Sequence, residues 1–461
     1  MRGLRIVIPV AFTLFGCSLG ARPPAEYPEI EKQATTTAAP APSDTPVPTL
    51  EQDETTVAKE ARLDVITRIA LARSPTVLEA RARTKAALAR VKIAGRLPDL
   101  EFKYELWGQP VSKAWDPTMT QMHMFGFRQT FPAGGALDAQ SEMAMEEAKI
   151  ALEAQRARSL DVVADVRKAW SSYWSADRER TIHLEHSEIT NKIFELAKTQ
   201  LQVGKTSQAD VLRFDLERSR VHTDMIALGQ QKNTALARLN LLMGRPVDAP
   251  LGDPPEPKML GAAPRIEELR AAILKRRPEL AAAGAAVKKS EAAVASAKSQ
   301  AKTPMVMVGL DYQLMPMGPM VHNFGAMVQF SLPWLNPRHG DEIKAAEAAV
   351  SADKTAQKAL EDAIFFQVQE AIVRYQGARS SFDLIDATLV PQAKKTFDAL
   401  LANYGAGGGD SLSVIDALRT WLQIRIDRNR ALAQVELAIA DVERAIGGPI
   451  PSGSKKDEVK P

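Results

Sequence analysis

From Ala136 to Val203 the chain runs without a single Gly or Pro. Apolar Leu160, Val163, Val166, Trp170, Tyr173 and Trp174 recur at helical spacing among Arg156, Arg158, Asp161, Asp165 and Arg167. The pattern predicts one continuous helix about 100 Å long, which no compact core of this chain length encloses. Such a helix packs lengthwise against others, as in a coiled coil or an elongated bundle. The alternative is two shorter helices joined where no breaker marks a turn.

A different period appears on either side of the long-helix segments. In Leu100-Glu101-Phe102-Lys103-Tyr104-Glu105-Leu106 every even residue is apolar and every odd one charged. Val306, Val308, Leu310, Tyr312 and Leu314 alternate with Met305, Met307, Gly309, Asp311 and Gln313, and Phe324 to Leu332 repeats the pattern. The stretch ending Phe125-Gly126-Phe127-Arg128-Gln129-Thr130-Phe131 is compatible with it. Period two with one apolar face predicts strands dry on one side and wet on the other. Each is near the length that crosses a bilayer in a tilted barrel. Four such strands cannot close a barrel, and lipid does not tolerate open edges, so strands in a membrane require several chains per barrel. The alternative is a soluble pair of hairpins capping a helical bundle.

The two halves repeat each other. Ser74-Pro75 and Arg277-Pro278 share one offset (278 − 75 = 203), as do Gly204 with Gly407 and Gly244 with Gly447. Each half therefore reads as helix, two strands, very long helix, glycine turn and helix, the first helices covering about 63–95 and 266–300. The second long helix contains Gly377 and Pro391, which predict a local bend or a broken helix hydrogen bond. The resulting plan is a signal segment at 1–16, an unfolded linker at 17–57, repeat 1 at 58–250 and a Pro-rich linker at 251–265. Repeat 2 follows at 266–448, with a disordered tail at 449–461. Residues from Ala21 to about Thr56 are rich in Pro, Thr, Ala and Glu, a composition expected to remain unfolded.

Arg2 and Arg5 precede the apolar run Ile6–Phe15, a secretory signal too short to span as an anchor. It ends Leu14-Phe15-Gly16-Cys17, which resembles the bacterial lipobox. That resemblance implies acylation at Cys17, and Ser18 fits retention at the outer membrane. The alternative is an ordinary signal with an incidental cysteine. A single acyl chain anchors weakly, so stable attachment needs more chains or a second element.

A formal charge of +3 is too near neutral to argue for nucleic acid. The single cysteine excludes an intrachain disulfide. No catalytic constellation, phosphate-binding Gly loop or nucleophile motif is visible, so neither an enzyme nor a cofactor is expected. His183 and His186 lie three apart on the long helix and lack a third ligand, so a solvated helix face is expected there rather than a metal site. Nine of the fifteen methionines fall in the strand regions: Met119, Met122, Met124, Met305, Met307, Met315, Met317, Met320 and Met327. Thioethers suit Cu(I), but flexible apolar filler is the preferred reading.

The turn after the second long helix reads Tyr404-Gly405-Ala406-Gly407, then Ser413-Val414-Ile415-Asp416-Ala417-Leu418. The first half has Gln202-Val203-Gly204 and Asp210-Val211-Leu212. The junctions Gln129-Thr130-Phe131-Pro132 and Phe330-Ser331-Leu332-Pro333 complete a set whose order and duplication resemble the TolC-like outer-membrane efflux channel family, over about Leu63 to Gly448. Leu389-Val390-Pro391-Gln392-Ala393 looks more like its heavy-metal branch than its multidrug branch.

The resemblance implies a mainly α fold with transmembrane β: a homotrimer forming a twelve-stranded barrel in outer-membrane lipid, continued by a twelve-helix periplasmic tunnel. It implies passive conduction in a tripartite efflux or secretion pump, with a periplasmic adaptor protein and, through it, an inner-membrane pump as partners. Gly204 and Gly407 would form the adaptor-docking tip. Asp210, Tyr404 and Asp416 would form the periplasmic gate, Asp416 as one carboxylate of a ring, although for Asp210 a helix-cap role fits as well. Two departures bear on the gate: Ser413 replaces a ring aspartate, and Gly409 stands where some members have a gating arginine. The rival readings are a periplasmic adaptor lipoprotein, which would lack the duplicated bilayer-length hairpins, and a soluble periplasmic enzyme.

Overall fold

The computed structural model describes residues 21–35, 49–257, 265–315 and 321–450. The signal segment, Cys17, residues 36–48, Met317, Met320 and the tail from 451 lie outside them. The first half contains α1 (Tyr27–Thr35), α2 (Leu50–Lys59), α3 (Leu63–Arg73), α4 (Pro75–Ala94), β1 (Glu101–Trp107), β2 (Met122–Phe131), α5 (Ala136–Gln202) and α6 (Gln208–Leu242). The second contains α7 (Ile266–Arg276), α8 (Pro278–Lys302), β3 (Val306–Leu314), β4 (His322–Phe330), α9 (Arg338–Leu384), α10 (Val390–Gly405) and α11 (Ser411–Ile446). No described helix is long and apolar enough to cross a membrane.

The predicted long helix is continuous: α5 runs 67 residues without a break. The first helix expected in each half is instead two. Proline at 75 and 278 disfavours the helical conformation in the residue before it, and Ser74 (ψ 124°) and Arg277 (ψ 112°) are turned out of the helix.

The expected disturbance near Pro391 is a five-residue π-turn, Ile385–Leu389, between α9 and α10, while α9 passes through Gly377 unbroken. The π-turn explains a change of register between the halves. Val162 and Ile364, Val166 and Val368, Ala169 and Ala371, and Tyr173 and Tyr375 are buried pairs with a spacing of 202 (375 − 173 = 202). Beyond the turn, Gly204 and Gly407 stand 203 apart. A π-turn holds one more residue than the α-turn it replaces.

Contacts divide the chain into two compact units. The first comprises Lys85–Lys149, Ala285–Thr355 and the N-terminal residues through Glu31. It contains a four-stranded antiparallel sheet ordered β1-β2-β3-β4. Register places Tyr104, Phe125, Tyr312 and Phe324 in one row, with Phe102, Phe127, Leu310 and Ala326 in the next row of the same face. The opposite face carries Lys103, Gly126, Asp311 and Gly325, and Met307 and Met327 lie on that side too. The apolar face is open: Phe102, Leu310 and Phe330 are each about 60% exposed and Phe324 is 86% exposed.

The second unit comprises Lys32–Thr84, Ile150–Gly284 and Ala356–Pro461. Both halves supply its main core, with Trp170 and Tyr173 of α5 beside Ile364 and Tyr375 of α9, Ile66, Leu269 and Ile439. Trp170 donates its indole N–H to the Ala61 carbonyl (2.6 Å), and Tyr173 donates its hydroxyl to the Gly252 carbonyl (3.2 Å). A second cluster joins Phe194, Phe214, Phe397, Leu418 and Trp421.

The linker expected at 17–57 is corrected by α1 and α2. Tyr27 is buried beneath Lys92, whose Nζ lies 4.9 Å from the ring centroid. Thr49 and Gln52 form a capping box at the start of α2. Asp53 is buried and paired with Arg68 at 2.7 Å, and Val57 is fully buried. Composition averaged over this stretch hid two short amphipathic segments that fold by docking. The Pro-rich linker also has a fixed part. Gly252 donates to the Val57 carbonyl, and a Cβ at Gly252 would lie 2.2 Å from the Lys59 backbone, so only glycine fits.

Candidate functional site at the long-helix tips

Two glycine turns close the ends of the helix pairs. Gly204 (φ 75°) follows α5, and Gly407 (φ 86°) follows α10. Both occupy the left-handed region that glycine enters without steric cost. Ser207 and Asp210 form a reciprocal capping box at the start of α6, and Asp410 caps α11 by accepting from the amides of Leu412 (2.9 Å) and Ser413 (3.2 Å).

Asp210 does more than cap its own helix. Its Oδ2 accepts from the Ser207 hydroxyl (2.7 Å), the Ser207 amide (3.1 Å) and the Thr206 hydroxyl (2.9 Å). Its Oδ1 accepts from the Ser411 hydroxyl and from Arg213 Nη1 (3.2 Å). The Ser411 hydroxyl, and after it the Ser207 and Thr206 donors, hold the Asp210 carboxyl well below the usual carboxylate range. Thr206 Oγ1 also lies 3.3 Å from the Tyr404 hydroxyl, so Asp210 and Tyr404 belong to one hydrogen-bonded group. Tyr404 is 2% exposed, meets Phe214 edge-on at 5.9 Å, and accepts at its carbonyl from Gln200 (2.8 Å). Burial pushes its phenol up.

Asp416 is not joined to that group. It lies on the exposed face of α11, where its carbonyl accepts from Thr420. Ser413 bonds its hydroxyl to Asp410 (2.9 Å). At Gly409 an added Cβ would come within 3.0 Å of the Tyr404 amide nitrogen, so a side chain there requires the turn to shift. Thr206, Gln200, Arg213 and Ser411 join the site as partners that no pattern in the sequence marks. Ser207-x-x-Asp210 was legible as a capping box, whereas the link to Ser411 joins the two halves and leaves no local signal.

The expected solvated face at His183 and His186 is also corrected: they are 5% and 2% exposed. They turn inward because α6 and α11 cover that side of α5. His186 Nε2 lies 4.0 Å from Glu217, which is itself buried and accepts from Arg419 Nε at 2.9 Å. Burial lowers the His186 imidazole to about 4, and His183 shifts in the same direction. Among the described residues no three His, Cys, Asp or Glu side chains assemble into a metal-holding group.

No curated protein matches the sequence significantly. Solved structures do match the fold. The outer-membrane channel OprN is 16% identical, with a TM-score of 0.70 over 89% of this chain and 95% of that one. CusC, studied for conformational changes accompanying folding and transmembrane channel formation, is 16% identical, with a TM-score of 0.71 over 94% of this chain and all of its own. The open state of the Neisseria gonorrhoeae MtrE outer membrane channel is 16% identical, with a TM-score of 0.68 over 90% and 96%. The outer membrane efflux protein profile matches twice, over residues 66–245 and 269–448, so that each of its copies falls on one half of the internal duplication. The chain belongs to the outer membrane efflux protein family.

Proposed function

We propose that this outer membrane efflux protein is the exit channel of a tripartite efflux or secretion pump. Its sheet carries the reading: four antiparallel strands with an exposed apolar face, ending in β1 on one side and β4 on the other. Unpaired backbone groups at such edges are not tolerated in lipid, so further copies must complete the ladder. Three copies make a closed barrel of twelve strands, an even number within the bacterial range. The apolar rows then face lipid and the Lys103–Asp311 face lines the lumen. The long helices of the three chains extend this barrel into the periplasm as a tunnel.

Substrate passes passively, driven by an inner-membrane pump that a periplasmic adaptor connects to the turns at Gly204 and Gly407. Asp210 and Tyr404 hold the entrance closed through Thr206 and Ser411, and the exposed Asp416 carboxylates converge on the pore axis and favour cations. Cys17 is the lipid attachment. The test is electron microscopy of a detergent-extracted Cys17→Ser variant exported through an ordinary signal peptide. A threefold tube longer than about 100 Å supports the channel. Compact monomers that need no detergent would leave a lipid-tethered helical protein, the adaptor reading.

A further inference from the structure

The second unit contains a cleft of about 500 Å³ between α5, the start of α8 and the C-terminal end of α11. This size suits a small molecule. Leu160, Val163, Ala164 and Ala281 supply apolar wall, and Lys275, Arg276, Arg277 and Arg444 gather at it. The carboxylates that reach the cleft are already engaged, Glu443 by Arg167 at 2.6 Å and Glu153 by Arg156 at 2.5 Å. Lys275 and Arg276 are exposed, and neither has an ion-pair partner among the described residues. Arg444 reaches Asp161 with Nε and Glu279 with Nη2, each at 2.6 Å, which leaves its Nη1 buried with no acceptor.

The duplication does not repeat the lining of this cleft. At the spacing of 202, Val163 and Ala164 correspond to Phe365 and Phe366, and at 203, Ala281 corresponds to Leu78. At each of these positions the other half carries a larger apolar side chain. Arg444 corresponds to Leu241, so the guanidinium too is peculiar to this cleft. Three of these differences open an apolar space and the fourth sets a guanidinium beside it.

We propose that this cleft binds a single-chain anionic amphiphile of the fatty-acid class. The alkyl chain lies along Val163 and Ala164, and the carboxylate meets the exposed Lys275 and Arg276 at the edge of the cleft, within the positive field of Arg444. The full-length protein, transferred from detergent to amphipol, is photolabelled with a diazirine-bearing fatty acid, with an alkyl trimethylammonium of the same chain length as the control. Labelling is expected on the α5 peptide containing Leu160 to Ala164 and on the start of α8. It falls about tenfold in Val163→Phe/Ala164→Phe, which imports the side chains of the other half. It also falls about tenfold in Lys275→Gln/Arg276→Gln, whose exposed positions spare the fold if the first variant does not assemble. Equal labelling by the ammonium probe, labelling confined to the strands, or labelling unchanged in Lys275→Gln/Arg276→Gln overturns the proposal. A fatty acid released in stoichiometric amount when the purified protein is denatured identifies a resident lipid, and binding of the added probe alone identifies a transiting one.

Discussion

Ser411, at the start of α11, donates its hydroxyl to the carboxylate of Asp210 in the first turn of α6. One hydrogen bond thus ties the capping box of the first half to the opening of the equivalent helix in the second. Ser411→Ala removes a hydrogen bond to a charged group and is expected to cost about 1–2 kcal/mol. The sign of the pH effect follows from the lowered Asp210 carboxyl. Its stabilisation is present above the ordinary carboxylate range and is lost as pH falls below it. In Ser411→Ala the loss begins at the same pH, set by the unfolded chain, but is smaller and ends at higher pH, which melting curves between neutral pH and pH ~3 measure.

If Asp210 and Tyr404 hold the entrance shut, loosening them opens the channel. Asp210→Asn combined with Tyr404→Phe is expected to raise single-channel conductance in planar bilayers several-fold. Asp416→Asn is expected to reduce cation selectivity without moving the melting temperature, because that carboxylate lies exposed and outside the tip network. Unchanged conductance in the double variant would reduce the network to a structural fastening.

His186 sets an acid limit on the helical unit. Its imidazole is lowered to about 4 in the fold, against about 6.5 in the unfolded chain. The unfolded state therefore takes up a proton first, and stability declines as pH falls from about 6.5 towards 4, by about 3 kcal/mol in all. His186→Gln is expected to flatten that part of the stability–pH curve, read by urea melts of helical circular dichroism at several pH values.

Two glycines give opposite results with the same substitution. Gly407→Ala forces a Cβ into the left-handed region, where Lys205 also crowds it, and is expected to cost about 1–2 kcal/mol. Gly377 lies exposed in the interior of α9 with nothing near its missing Cβ, so Gly377→Ala is expected to stabilise by up to about 1 kcal/mol. Thermal melting of the two variants side by side checks both signs.

Patterns carried by many residues were legible in the sequence. The continuity of α5, the alternation of the four strands and the glycine turns all follow from periodicity or from a backbone need that only glycine meets. Features that depend on a distant partner were not. Asp53 and Val57 look like linker until Arg68 and Gly252 are beside them, and His183 and His186 look solvated until α6 and α11 cover them. Asp210 shows the boundary well, since its partner Ser207 is three residues away and readable, and its partner Ser411 is not.

The π-turn at Ile385–Leu389 bears on how this duplicated chain tolerates change. An extra residue in an ordinary α-helix swings everything beyond it by about 100° around the axis. That rotation would carry Tyr404 and Phe397 off the side they share with Phe214 and Trp421. A wider turn takes up the surplus as a local bulge, so the angular phase of the helix is restored before the tip begins. Between Tyr375 and Gly407 the second half is thus one residue longer than the first between Tyr173 and Gly204 (407 − 375 = 32 against 204 − 173 = 31), at no cost in orientation, and the bulge is the place where this rod-like element can gain or lose a residue without turning its far end.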